Sequence, residues 1–187
     1  MSNIPNTLPK PTASGVRSAP INNQTYLARF TKGEIGNSNA GNLQLTARVE
    51  VLLPESVPSA ENPDLTVKAA GATTTSYFSL DPSNEDRYAD TYNAFERLQL
   101  LDSQGSVNPQ AIVAAMNTGG VCFEIILSSE LDVVRLPRKA GEKVGAPMLD
   151  SNGKEINRGY KVRNPFPADY LGRRPTISGL PEVPAIV

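Results

Sequence analysis

The sequence predicts a mainly β fold: a small five-stranded barrel with one main helix between its third and fourth strands, a short second helix and extended tails. Two stretches within residues 24–53 alternate apolar and polar side chains, which is typical of strands with one buried face. A run of turn-forming residues, 37–42, lies between them. The 16 prolines and 14 glycines favour strands joined by irregular connections.

The first two strands are expected to form a long, bent hairpin, the usual start of a small barrel. Residues 73–80 are rich in β-favouring types and predict the third strand. The main helix begins after residues 83–84, and a second helix begins at Pro109 and ends at Gly119. The apolar run 120–127 predicts a buried fourth strand, and Asn152-Gly153 predicts a hairpin whose return strand is 155–162.

Proline-rich ends bound the predicted domain. Residues 1–22 are expected to be a flexible N-terminal arm, residues 23–165 the barrel domain, and residues 166–187 an extended C-terminal tail. The N-terminal residues lack an apolar run, so no signal peptide is expected. No stretch is long and apolar enough to span a membrane, so we expect a protein of the cytoplasm.

Composition argues against an enzyme. The chain has no histidine and one cysteine, Cys122, whose apolar neighbours predict a buried thiol. A zinc site of the usual type and a histidine-activated nucleophile are therefore excluded. The carboxylates between Asp81 and Asp90 lack calcium-loop spacing, and the glycines form no phosphate loop. We expect no catalytic site, no metal and no cofactor.

Charge is distributed unevenly along the chain. Residues 50–102 hold ten acidic and three basic side chains, a net of −7. Residues 135–174 hold ten basic and four acidic side chains, a net of +6, and residues 1–49 have a net of +4. Such asymmetry indicates a face that binds a polyanion, although charges on surface loops also segregate by chance.

Four sequence segments stand out: Tyr26–Phe30, Gly41–Leu45, Tyr77–Asn84 and Gly119–Glu124. Together with the order of the predicted elements, they resemble the oligonucleotide-binding (OB) barrel and, more specifically, phage-encoded single-stranded-DNA-binding proteins. The resemblance covers roughly residues 22–165 and implies a protein of phage DNA replication or recombination in the host cytoplasm. The chain departs from this pattern because it has no tryptophan and only one acidic residue among its last eight.

The resemblance implies sequence-tolerant binding in which a basic groove follows the phosphates and aromatic rings stack on bases. The expected phosphate contacts are Arg29, Lys32, Arg48, Arg138, Lys139, Lys143, Lys154, Arg158, Lys161 and Arg163. The stacking candidates are Tyr26, Tyr77 and Tyr160, with Phe30 more consistent with a core position.

The expected partners are single-stranded DNA, replication or recombination proteins, and further copies of the chain. One alternative remains open, a virion structural or assembly protein, such as a capsid decoration or tail component, that wraps its neighbours with extended arms. Near-zero net charge fits this alternative slightly better. Salt separates the two, because counterion release makes DNA binding weaken steeply as salt rises.

Overall fold

The computed structural model describes residues 24–59, 64–142, 144–174 and 177–186. The predicted flexible arm, 1–22, lies outside the described residues. The elements, in chain order, are β1 (Gln24–Asn37), β2 (Leu43–Leu53), β3 (Ser56–Pro58), β4 (Thr66–Lys68), β5 (Thr73–Ser79), α1 (Glu85–Arg97), α2 (Pro109–Asn117), β6 (Cys122–Leu127), β7 (Ser129–Val133), β8 (Asn157–Val162), a 3-10 turn (Pro167–Asp169) and β9 (Tyr170–Arg174).

The main sheet is antiparallel and has the strand order β5-β2-β1-β6-β9. The prediction of a mainly β chain with two helices is confirmed, and both helices lie between the third and fourth strands of this sheet. Among the described residues the hydrogen-bonded ladder does not close, since β5 and β9 are its two edges. Two further two-stranded sheets pair β3 with β4 and β7 with β8.

The alternating pattern of the first hairpin is explained by its burial. On β2 the side chains of Leu45, Ala47, Val49 and Val51 are buried, while the residues between them face outward. Two register irregularities interrupt the β1–β2 ladder, one of them between Phe30 and Lys32. Such bulges increase the local twist, and β1 pairs with β2 from Leu27 to Asn37 and with β6 from Gln24 to Arg29.

Aromatic rings fill the centre of the core. Phe30 packs its ring 4.4 Å from that of Phe123 and 5.9 Å from that of Tyr170, between centroids. Phe78 lies 5.0 Å from Phe95 of α1 and 5.4 Å from Tyr170. All five rings are fully buried, so strands from both ends of the chain meet in one cluster.

The helix α2 fixes the bend in β1. The backbone N–H of Gly33 donates to the Asn117 side chain at 2.7 Å, and the Asn117 amide donates back to the Gly33 carbonyl at 3.3 Å. A Cβ at Gly33 would lie 3.1 Å from the Met116 sulfur, so a residue without a side chain suits this close approach. Neither helix in the described part of the chain has the length and apolar character needed to cross a bilayer.

The fifth strand is not where the sequence placed it. The predicted return strand 155–162 contains β8, which pairs with β7 outside the main sheet. The Asn152-Gly153 turn itself forms, with Gly153 at a φ of +76°. The fifth strand of the main sheet is instead β9, which pairs with β6. The predicted extended tail over 166–187 is therefore wrong for this segment, because the Tyr170 ring is buried in the core and draws the chain into the sheet.

The residues after β9 also pack on the domain. The side chains of Val183 and Ile186 are partly buried against the core. A Cβ on Gly120 would come within 2.0 Å of the Pro181 carbonyl oxygen, so backbone passes directly over this glycine. Cys122, in the strand that follows, is buried as expected.

Two buried tyrosines make stability depend on alkaline pH. Burial raises the pKa of Tyr26 to about 12, against a smaller opposing hydrogen bond with Gln24, and burial also raises the pKa of Tyr170. An unfolded chain releases these protons near pH 10. The stabilisation is therefore complete below about pH 10 and is lost as the pH rises toward 12, because the folded state retains more protons.

We expect the midpoint of denaturant unfolding to fall through that pH window, and to fall less in Tyr26→Phe than in the wild type. Tyr77→Phe, which alters a half-exposed ring, is the control. An equal decline in all three proteins would contradict the assignment.

Candidate nucleic-acid interface

Three chain segments that are distant in sequence surround one cleft of about 630 Å³. The first is the β1–β2 turn with the start of β2, the second is the end of β5 with α1, and the third is the base of the β7–β8 pair with the residues after β8. The lining residues are Ser38, Asn42, Leu43, Gln44, Tyr77, Ser79, Asn84, Arg87, Asp90, Thr91, Glu130, Lys161 and Arg163 to Pro167.

Backbone contacts hold the third segment in place. Thr74 donates to the carbonyl of Arg163 at 3.3 Å, and Ser76 donates to that of Pro165 at 3.5 Å. Arg97 of α1 donates to the carbonyl of Pro167 at 2.9 Å. These hydrogen bonds hold the segment beside the edge strand β5, whose outer side has no strand partner among the described residues. The segment therefore forms one wall of the cleft.

Two exposed aromatic rings line this cleft. Tyr77 is 48% exposed and Phe166 is 61% exposed. The segments carrying them lie side by side, because Ser76 contacts Pro165. Within the described residues the two rings make no contact with each other. The arrangement therefore leaves two aromatic faces accessible to a flat ligand.

Three cations line the same cleft. The Lys161 ammonium lies 3.4 Å from carboxylate oxygens of both Glu130 and Asp132. The Arg163 guanidinium lies 3.7 Å from Asp169 and 5.1 Å from the centre of the Phe166 ring. Arg87 makes no ion pair with any residue that the structure describes. Exposed ion pairs contribute only about 0–1 kcal/mol, so phosphate groups can replace these carboxylates at little cost.

The outward face of the sheet extends the basic surface. Arg48 is exposed and lies beside Lys32 in the β1–β2 register. Lys32 forms an ion pair with Glu34, whereas Arg48 has no ion pair within the described residues. Arg48 is four residues along β2 from Gln44 in the cleft, about 13 Å in a strand. Tyr77 lies between these two positions, since it pairs with Thr46.

Two predicted contacts are not available to DNA. The ring of Tyr26 is buried in the core, so its prediction as a stacking residue is wrong, while Phe30 is in the core as expected. Arg29 is half-buried, and its Nε and Nη2 atoms both lie 2.8 Å from a carboxylate oxygen of Glu50 on the neighbouring strand. This two-point contact neutralises the Arg29 charge and argues against a phosphate contact.

The remaining candidates divide between two surfaces. Near its end β8 pairs regularly, so Tyr160 and Lys161 point to opposite faces, and only Lys161 lines the cleft. Predicted phosphate contacts that are exposed outside the cleft are Arg138, Lys139, Lys154 and Arg158. Lys143 lies outside the described residues. Alternation along β8 therefore separates Lys161 from Tyr160, although the two are neighbours in sequence.

Sequence analysis missed Phe166 and Arg87 as site residues. Phe166 lies between Pro165 and Pro167, which indicated only an extended tail. Arg87 belongs to a helix with four acidic side chains, which argued against phosphate binding. A signal was available for Phe166, since an apolar ring beside Arg163 in a proline-rich segment is typical of an exposed contact. The sequence contains no such signal for Arg87, because its position in the cleft depends on tertiary packing.

Comparisons of the chain with protein-family models, curated proteins and solved structures found no match.

Proposed function

We propose that the chain binds single-stranded DNA without strong sequence preference, in phage DNA replication or recombination in the host cytoplasm. The observation that carries the proposal is the cleft in which the exposed Tyr77 and Phe166 rings share a surface with Arg87, Lys161 and Arg163. Aromatic faces for bases, next to cations for phosphates, are the combination that sequence-tolerant single-strand binding requires.

The arrangement of strands supports an OB-like barrel as the scaffold. In chain order β1, β2, β5, β6 and β9 take the five barrel positions, with the helices between the third and fourth. In the proposed barrel, contacts of residues 163–170 with Thr74 and Ser76 would take the place of a closing ladder, which the described residues do not form. OB folds bind oligonucleotides on their second and third strands, between the loops joining strands 1–2 and 4–5. The cleft lies at the corresponding place.

In the proposed mechanism, one base stacks on Tyr77 and another on Phe166. Arg87, Lys161 and Arg163 contact the phosphates at the cleft, and Arg48 contacts the strand as it leaves along β2. Thr91 lines the cleft, and its buried hydroxyl has no hydrogen-bond partner in the described part of the chain. Because the Thr91 side chain is fully buried, that hydroxyl takes no part in the proposed contacts.

Fluorescence anisotropy with a labelled oligo-dT of about 30 nucleotides tests the proposal as salt is varied. Four phosphate contacts predict a logarithmic salt slope of about −2.8, so a fourfold rise in salt should weaken binding about 50-fold. A duplex of the same length should bind more weakly. Absence of binding at low salt would refute the proposal and favour the assembly-protein alternative.

Single charge removals test which cations take part. Arg87→Gln and Arg163→Gln should each reduce the magnitude of the salt slope by about 0.7. Lys68→Gln is the matched control, because Lys68 is exposed on β4 and does not line the cleft. An equal change in slope for all three variants would show that overall charge, rather than the cleft, determines binding.

A further inference from the structure

One part of the molecule stands apart from the core. Residues 129–162, here called the outer hairpin, contain β7 and β8, which pack chiefly on each other. Bridges from Arg135 to Pro147 and from Leu149 to Glu155 extend it. Only its base meets the domain, where Val162 is buried and Lys161 lines the cleft. A two-stranded hairpin of this kind has little stability of its own in water.

The outer hairpin exposes an unusual amount of apolar surface. Six of its large apolar side chains are between 37% and 59% exposed, although the hairpin is a minor part of the described chain. They are Leu131, Leu136, Val144, Met148, Leu149 and Ile156. Apolar groups gathered on one element indicate a contact surface for a protein, because phosphates gain nothing from apolar contact.

The same hairpin also offers unpaired cations. Arg138, Lys139, Lys154 and Arg158 are exposed, and none of them has an ion pair with a described residue. Two nearby acids are engaged in turns: Asp150 accepts from the N–H of Lys154 at 2.9 Å, and Glu142 accepts from that of Lys139 at 3.0 Å. A third, Glu155, is exposed. Negative charge on a partner would therefore be attracted to this surface.

The exposed face of α1 carries the complementary charge. Glu85, Asp86 and Glu96 are exposed and have no ion pair within the described residues. Glu85 and Glu96 are eleven positions apart, which places them about 20° from each other around the helix. Asp86 completes the solvent face, opposite the buried Ala94 and Phe95. Within one copy, α1 and the base of the outer hairpin share the cleft, but the three acids and the four hairpin cations lie outside it. Both charged surfaces are therefore open to another copy.

We propose that the outer hairpin of one copy docks on the α1 face of the next, joining copies head to tail. In the symmetric alternative two outer hairpins would pair with each other, and repulsion between their exposed cations opposes that arrangement. A head-to-tail contact uses two different surfaces of each copy, so it continues into a chain of copies unless it closes as a ring. This inference concerns the protein without DNA and does not depend on the proposed DNA binding.

Reversing the charges on either surface tests the contact. Self-association is measured by sedimentation velocity at low salt, without DNA. The wild type is expected to self-associate. A hairpin variant, Arg138→Glu with Lys139→Glu and Arg158→Glu, should be monomeric. A helix variant, Glu85→Lys with Asp86→Lys and Glu96→Lys, should also be monomeric. An equimolar mixture of the two should associate again, because each reversed surface then meets an opposite charge.

Circular dichroism of both variants checks that they remain folded. The triple variant Lys32→Glu with Arg48→Glu and Lys68→Glu, which reverses three exposed cations elsewhere, serves as a charge-matched control that should still associate. A monomeric wild type at every concentration would overturn the proposal. Association that persists in either reversed variant would overturn it too, as would a mixture that stays monomeric. Failure of DNA binding would leave all of these outcomes unchanged.

Discussion

Alanine in place of Phe166 or Tyr77 is expected to weaken single-stranded DNA binding by about 1–3 kcal/mol for each ring, because a stacked base loses its aromatic platform. This corresponds to a dissociation constant about 5- to 150-fold higher. Both rings are half or more exposed in the cleft, so the substitutions leave the core intact. The thermal unfolding midpoint should therefore change little in either variant.

Anisotropy at one fixed salt concentration measures this effect. Leu65→Ala provides the matched control, because Leu65 is 59% exposed, close to the exposure of Phe166, and lies outside the cleft. Phe166→Tyr should bind nearly as well as the wild type, since it keeps the aromatic face. Undiminished binding by both alanine variants would exclude stacking as the basis of affinity.

Phe30→Ala is expected to destabilise the fold rather than weaken DNA binding, with a loss of about 3–5 kcal/mol in the free energy of unfolding. The ring is fully buried and lies within about 6 Å of three other aromatic rings. Domains of this size are stable by only about 5–15 kcal/mol, so one such cavity removes a large part of the total. Urea unfolding gives the value directly.

Leu53→Ala on the neighbouring strand is the control, because that side chain is half exposed and should lose far less stability. Phe30→Ala protein that remains folded at low temperature should still bind DNA, since the ring does not reach the cleft. If Phe30→Ala lost little stability but much DNA affinity, Phe30 rather than Phe166 would be the stacking residue.

The local elements could be predicted because their signals are local. Alternation in β2 indicated its buried face, and Asn152-Gly153 indicated a turn that the structure contains. The strand β9 was missed because Tyr170–Arg174 has no alternating pattern and lies between prolines at 167 and 175. The segment joins the sheet because the Tyr170 ring packs among the rings of Phe30, Phe78 and Phe123, and this packing depends on the tertiary fold.

The candidate site could be predicted only in part, since it depends on which charges meet across the fold. The contact between Arg29 and Glu50 follows from the strand register after a bulge, which the sequence does not reveal. Arg87 and Phe166 are 79 positions apart, yet they line one cleft. Tyr77, Arg48 and Lys161 were expected from the resemblance to single-strand-binding proteins. Tyr77 and Lys161 line the cleft, and Arg48 lies beside it on β2.

The place of Tyr170 in the core has a consequence for the order in which the chain folds during synthesis. Phe30 leaves the ribosome 140 residues before Tyr170, the ring against which it finally packs. At about 5–20 residues per second this interval lasts roughly 7–28 seconds. During it the aromatic cluster is incomplete, and once β6 has emerged its edge stays unpaired until β9 follows. Chaperones that bind extended apolar segments would find their targets during this interval, before release of the finished chain.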